Sequence, residues 1–204
     1  MGIKVLILED NPVTRGFLAR VIAESFNDVE EVVEASDLAS ARQALRDAAS
    51  PFQMVLLDLE LPDGNGLELL GELSAYPATR IVTTLYADDE QLLPALQKGA
   101  DGYLLKENRF EVLVEDLQRI IRGQLPLSPS LARSLMHHFR PGDGAPATGT
   151  EPSAALNARE MDVLTYVSKG FTIKEMASLM GVKWFTVFEQ IKSIYRKTSG
   201  LQAE

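Results

Sequence analysis

The chain has 204 residues, 46% of them hydrophobic, which suits one domain of ordinary size and a smaller one with its own core. It has no cysteine and only two histidines, the adjacent His137 and His138; this excludes disulfides, thiol catalysis and zinc–thiolate sites, and makes a histidine triad or metal site hard to assemble. The net charge of −9 is uneven: residues 1–123 carry 11 Lys and Arg against 22 Asp and Glu, whereas residues 151–204 carry 7 against 6, so the acidic part suits a cation site rather than nucleic acid.

In chain order, short runs rich in Val, Ile and Leu occur at Ile3–Leu8, Glu30–Ala35, Met54–Leu57, Arg80–Thr84 and Gly102–Leu105, the pattern of buried parallel strands. Helical spacing fills the intervals, as in Phe17, Leu18, Val21 and Ile22, then Leu38, Ala41, Ala44 and Leu45, then Leu67, Leu69, Leu70 and Leu73. Leu92, Leu93 and Leu96 continue it, followed by Val112, Leu113, Leu117, Ile120 and Ile121. Asn11-Pro12 supplies a cap followed by proline at the first helical position, and Gly99 closes the fourth helix. Residues 1–123 are therefore predicted to form an α/β domain, a (βα)5 flavodoxin-like doubly wound parallel sheet whose site lies at the carboxyl ends of its strands.

Past Gly123, Ser128-Pro129 predicts a short helix through about Phe139, and the Pro- and Gly-rich stretch 141–152 reads as a flexible linker, so residues 124–152 form a connection. An amphipathic helix follows from Leu156 to near Gly170. Thr172 and Glu175 form a capping box for a second helix, Gly181-Val182 makes a turn, and a third helix runs from about Trp184 to Lys197 with Val187, Ile191 and Ile194 inward. Residues 153–204 are thus expected to be a small all-α helix-turn-helix domain. No apolar run approaches a membrane span and no secretory signal follows Met1, which predicts a cytoplasmic protein without membrane partners.

Three acids fall at strand ends: Glu9 and Asp10 after the first strand, Asp58 after the third. Neighbouring strands would crowd these carboxylates into one pocket, where like charges demand a cation, and Mg²⁺ is the hard, oxygen-seeking candidate. Lys106 and Thr84 close the fifth and fourth strands and would add an ammonium and a hydroxyl at the same edge. Phosphoryl transfer needs little beyond such positioning and charge neutralisation.

Leu8-Glu9-Asp10-Asn11-Pro12, Leu56-Leu57-Asp58-Leu59-Glu60-Leu61-Pro62-Asp63-Gly64 and Gly99-Ala100-Asp101-Gly102-Tyr103-Leu104-Leu105-Lys106 resemble the receiver domain of bacterial response regulators. The resemblance implies that Asp58 is a phosphoacceptor served by a sensor histidine kinase. It makes Asp10 a Mg²⁺ ligand, Glu9 the holder of a metal-bound water, and the Glu60 carbonyl a backbone ligand. Lys106 would pair with the phosphoryl oxygens, Thr84, 22 residues earlier, would be the switch hydroxyl, and Tyr103 would turn inward with it. Thr83 would replace Thr84 if the strand register slips by one. Glu60 and Tyr86 would border the route of the attacking water. Catalysis is expected to be self-directed only: phosphorylation and dephosphorylation at Asp58.

Leu156-x-x-Arg159-Glu160-x-x-Val163-Leu164, Gly170-Phe171-Thr172-Ile173-Lys174-Glu175-Met176-Ala177, and Thr186-Val187 through Lys197 are similar to the LuxR/NarL-type DNA-binding domain. Together the two resemblances imply a NarL/FixJ-type transcription regulator that dimerises when phosphorylated. Thr186, Val187, Phe188, Glu189 and Lys192 would lie along the major groove, with Lys183, Arg196 and Lys197 at phosphates. The family usually has Lys where Phe188 stands, His where Gln190 stands, and a fourth helix where this chain ends at Glu204. A helix-turn-helix given over to protein binding is the alternative reading.

Overall fold

The computed structural model describes residues 2–85, 89–139 and 155–200. Strand β1 (Ile3–Leu8) pairs in parallel with β2 (Val29–Ala35) on one side and β3 (Met54–Asp58) on the other. After a two-residue hairpin, β4 (Glu60–Leu61) with β5 (Gly64–Asn65), the sheet continues through β6 (Thr79–Thr84) and β7 (Gly102–Leu105). The order β2-β1-β3-β6-β7 reverses direction at β1, and a crevice opens at the carboxyl ends of strands where that reversal occurs. Val5 to Leu8 and Val55 to Leu57 are fully buried, as the apolar runs required.

Helix α1 (Pro12–Ser25) starts where Asn11 accepts hydrogen bonds from the Val13 and Thr14 amides, satisfying two orphan donors ahead of the first turn. Asp37 and Ser40 form a reciprocal cap on α2 (Leu38–Asp47), which packs near α3 (Gly66–Glu72). Helix α5 (Phe110–Ile121) packs on α1, with Phe110 edge-on to Phe17 at a centroid distance of 5.9 Å. By contact the chain divides into two compact units, Met1–Tyr86 with Lys98–Arg122, and Ala87–Gln97 with Gly123–Glu204.

The second unit contains α4 (Asp89–Gln97), α6 (Pro129–His138), α7 (Ala158–Ser168), α8 (Ile173–Met180) and α9 (Trp184–Thr198). Ser128 caps α6 and Asn157 with Glu160 forms a capping box on α7. Helix α8 ends at Gly181, whose φ of 64° is the left-handed turn that a residue without Cβ adopts cheaply. Helix α9 packs on α7 and α8 through Val187, Ile191 and Ile194, all buried. The linker expected over 141–152, Tyr86 and the chain after Gly200 lie outside the described residues.

Candidate functional site

The sheet brings the predicted acids together. Glu9, Asp10 and Asp58 each offer a carboxylate oxygen within 4.8 Å of the others, with Glu9 and Asp58 buried and Asp10 exposed. The Lys106 ammonium stands 2.6 Å from Asp58 Oδ2 and 2.6 Å from Glu9 Oε2. The other Asp58 oxygen, Oδ1, accepts from the Leu59 amide at 2.7 Å and the Glu60 amide at 3.4 Å. Burial pushes the Glu9 carboxyl above its ordinary value even though Lys106 pulls the other way. For Lys106, burial works to lower the pKa, but the bonds from Asp58 and Glu9 outweigh it and hold the ammonium above its ordinary value. Three carboxylates against one ammonium leave an excess of negative charge that a divalent, oxygen-seeking ion would neutralise, so the donor set fits such an ion.

Thr84 ends β6 at this edge, buried, and its carbonyl accepts from the Lys106 amide at 2.8 Å. Thr83 is the register partner of Asp58, fully buried, and its hydroxyl oxygen makes no hydrogen bond among the described residues. Tyr103 on β7 is buried, only 6% exposed. Glu60 begins the β4–β5 hairpin, which with Asp10 and Asn65 lines the open cleft over Asp58.

Three supporting residues were not singled out by sequence patterns. Arg15 donates to the Glu9 carbonyl at 2.7 Å and the Asp10 carbonyl at 3.3 Å while its Nε holds Glu34 at 2.9 Å, so it fixes the loop that carries two of the acids. Asp63 caps α2 by accepting from the Leu38 and Ala39 amides, tying the loop after Asp58 to a neighbouring helix. Gly66 donates to the Leu59 carbonyl at 2.9 Å, and a Cβ on it would stand 2.0 Å from the Asp58 carbonyl oxygen. Only the turn composition Asp63-Gly64-Asn65-Gly66 signalled this in advance.

In the C-terminal unit the expected contacts on α9 separate by burial. Phe185, Glu189 and Arg196 are exposed, Thr186, Phe188 and Lys192 are half-buried, and Lys183 is the exposed residue preceding the helix. Val187 is fully buried, which corrects its assignment to the groove: four residues before Ile191, it belongs to the core stripe. Lys197 is corrected too. Its ammonium donates to Glu160 Oε2 at 2.8 Å and the Ala155 carbonyl at 3.1 Å, so its charge is spent inside the protein.

Glu160 is itself buried and accepts from Ser193 at 2.6 Å. Burial works to raise its pKa, but the bonds from Lys197, Ser193 and the Asn157 amide together hold it below the ordinary Glu value. A lowered carboxyl lends stability that is present above its unfolded pKa and lost as the pH falls through the folded one. Lys197→Ala is therefore expected to weaken this unit by about 2 kcal/mol at neutral pH, with the deficit shrinking in acid. Urea unfolding followed by the fluorescence of Trp184, the sole tryptophan, measures it; equal midpoints at neutral pH would refute the pairing.

The fold and the acid–lysine cluster at its sheet edge are those of a receiver domain, and residues 5–118 match the response regulator receiver domain family. The oxygen regulatory protein NreC of Staphylococcus carnosus is 31% identical over 189 residues, covering 90% of this chain and 85% of that protein, and NreC of Staphylococcus aureus strain JH9 matches equally. Among solved structures, the RcsB response regulator of Salmonella typhimurium covers 100% of this chain and 94% of its own at a TM-score of 0.56 and 21% identity. A LuxR-family response regulator from Aurantimonas sp. SI85-9A1 covers 68% of this chain and 98% of its own, with a TM-score of 0.56 and 25% identity. The chain belongs to the two-component response regulators, and within them to the NarL/FixJ/LuxR type. Among the described residues no helix is long and apolar enough to cross a membrane.

Proposed function

We propose that Asp58 accepts a phosphoryl group from a sensor histidine kinase and that the phosphorylated chain, as a homodimer, controls transcription by binding DNA. The observation that carries the input half is the Asp58 carboxylate, paired with Lys106 at 2.6 Å beside Glu9 and Asp10 at the sheet edge. An Asp58 oxygen attacks phosphorus as the bond to the donor histidine nitrogen breaks, leaving an acyl phosphate on Asp58 and the histidine restored. Lys106 then exchanges its carboxylate partner for a phosphoryl oxygen. Asp10, Asp58 and the Glu60 carbonyl would hold Mg²⁺, with Glu9 holding a metal-bound water, and the ion would supply charge neutralisation on the phosphoryl oxygens. Hydrolysis of the acyl phosphate by water returns Asp58 to its free form, so the chain's only chemistry is on itself. The added charge draws the Thr84 hydroxyl, and Tyr103 occupies the room this leaves.

For the output half, α8 and α9 form the helix-turn-helix and α9 is the reading helix. Thr186, Phe188, Glu189 and Lys192 lie along the groove, and Lys183 and Arg196 serve phosphates. One RcsB structure is of a DNA complex, and another is of two RcsB dimers on two parallel DNAs. With Lys197 withdrawn and Lys192 in the groove, each copy offers Lys183 and Arg196 to phosphates. Fluorescence anisotropy of duplex DNA with the phosphorylated full chain should give a log–log salt slope of about −4 for a dimer and about −2 for one copy. Failure to bind duplex at low salt would leave the helix-turn-helix to a protein partner.

A further inference from the structure

Helix α9 has two unlike faces. Val187, Ile191 and Ile194 are buried, and the opposite stripe runs Phe185, Glu189, Lys192, Arg196 at helical spacing. The stripe opens with aromatic side chains in solvent: Trp184 is 53% exposed and Phe185 50%. They brace one another instead of filling the core. Trp184 stands edge-on to Phe185 at 6.1 Å and to Phe188 at 5.9 Å, and the Lys183 ammonium lies 5.7 Å over the Phe185 ring. From Trp184 to Ile191 the helix carries no cation.

The commonest base-specific contact to DNA is a bidentate Arg or Lys on guanine, and this half of the helix has no side chain that can make it. What it presents instead is an apolar ring and, one turn on, a carboxylate. In the major groove the apolar feature is the thymine 5-methyl group, and the donor that suits a carboxylate is the cytosine N4 amino group. Four helical residues advance about 6 Å, close to two base-pair steps.

Resting on the DNA-binding reading above, we propose that Phe185 packs on a thymine methyl group and Glu189 accepts from a cytosine N4 amino group within two base pairs of it. The contact between Trp184 and Phe185 holds the ring in place before DNA arrives, so little rotamer freedom is lost on binding. Glu189 then acts against guanine and thymine, because an unpaired carboxylate facing guanine O6 or thymine O4 is repelled.

The test uses the full chain with Mg²⁺ and beryllium fluoride, selecting from duplexes with a randomised core of roughly 30 base pairs. Selected half-sites should carry thymine and cytosine within two base pairs. Remaking them with deoxyuridine, which lacks only the methyl group, should weaken binding about tenfold. Phe185→Ala should bind the thymine and uracil duplexes alike, Phe185→Leu should keep part of the difference, and Glu189→Gln should relax the preference at cytosine. Enriched sites bound equally with thymine or uracil overturn this inference alone. A pool from which nothing is enriched at low salt overturns both it and DNA binding. The uracil comparison needs no variant, so a misfolded substitution does not blunt it.

Discussion

Asp58→Asn is expected to abolish phosphoryl incorporation from acetyl phosphate in the presence of Mg²⁺, as read by intact mass. The amide has no carboxylate oxygen with which to attack phosphorus, and no other group replaces it. Glu9 is buried behind Lys106, and Asp10 lies on the outer side of the cluster, exposed. The fold should hold, because an Asn side-chain oxygen can still accept from the Leu59 amide as Oδ1 does at 2.7 Å. The lost ion pair with Lys106 is offset in part, because Lys106 keeps Glu9 at 2.6 Å and removing one of three clustered carboxylates relieves repulsion. The unfolding free energy should therefore fall by no more than about 2 kcal/mol. Asp10→Asn separates the roles: Mg²⁺ affinity should fall while Asp58 remains a competent nucleophile at high Mg²⁺. Full labelling of Asp58→Asn would sink the assignment, and full labelling of Asp10→Asn at low Mg²⁺ would remove Asp10 from the metal set.

How much of this was legible in the sequence follows the range of the forces involved. The five strands lie within a residue or so of their apolar runs because burial on both sheet faces leaves an unbroken Val, Ile and Leu signature. Caps at Asn11, Ser128 and Thr172 were readable for a similar reason, since donor and acceptor are within three residues. The β4–β5 hairpin was not, because two-residue strands are too short to show a period. Lys197 was misassigned because its partner Glu160 is 37 residues away, and a charge near a helix end looks free until the fold is known. Arg15 has no readable signature for a different reason: the bonds that fix the acid loop go to the Glu9 and Asp10 backbone carbonyls, which any residue would offer. The acid–lysine cluster was found without such help, since the topology alone delivers strand ends to one edge.

The same distinction decides a second large effect, at Gly66. An alanine there would put its Cβ 2.0 Å from the Asp58 carbonyl oxygen, a contact that real Cβ atoms do not make, and 3.1 Å from the Leu59 Cα, tighter than most. Neither side yields easily. Asp58 ends β3, in the middle of the sheet, and Gly66 begins α3 under the Asn65 cap, which accepts from the Leu67 amide at 2.8 Å. To admit the methyl group the loop must move outward and give up the bond from the Gly66 amide to the Leu59 carbonyl. Gly66→Ala is therefore expected to cost about 3 kcal/mol in urea unfolding, and to lower Mg²⁺ affinity because the displaced backbone carries Asp58. Gly16→Ala is the control, with the same added methyl group on an exposed turn of α1 where nothing lies within 4 Å. There the change should stabilise the protein by about 0.5–1 kcal/mol, through helix propensity and a less flexible unfolded chain. Opposite signs from one chemical change would show that the approach of α3 to β3, and not glycine content as such, holds the phosphoacceptor loop. If Gly66→Ala unfolds within about 0.5 kcal/mol of the parent, the loop is soft and Asp58 is positioned from its other side, by Lys106.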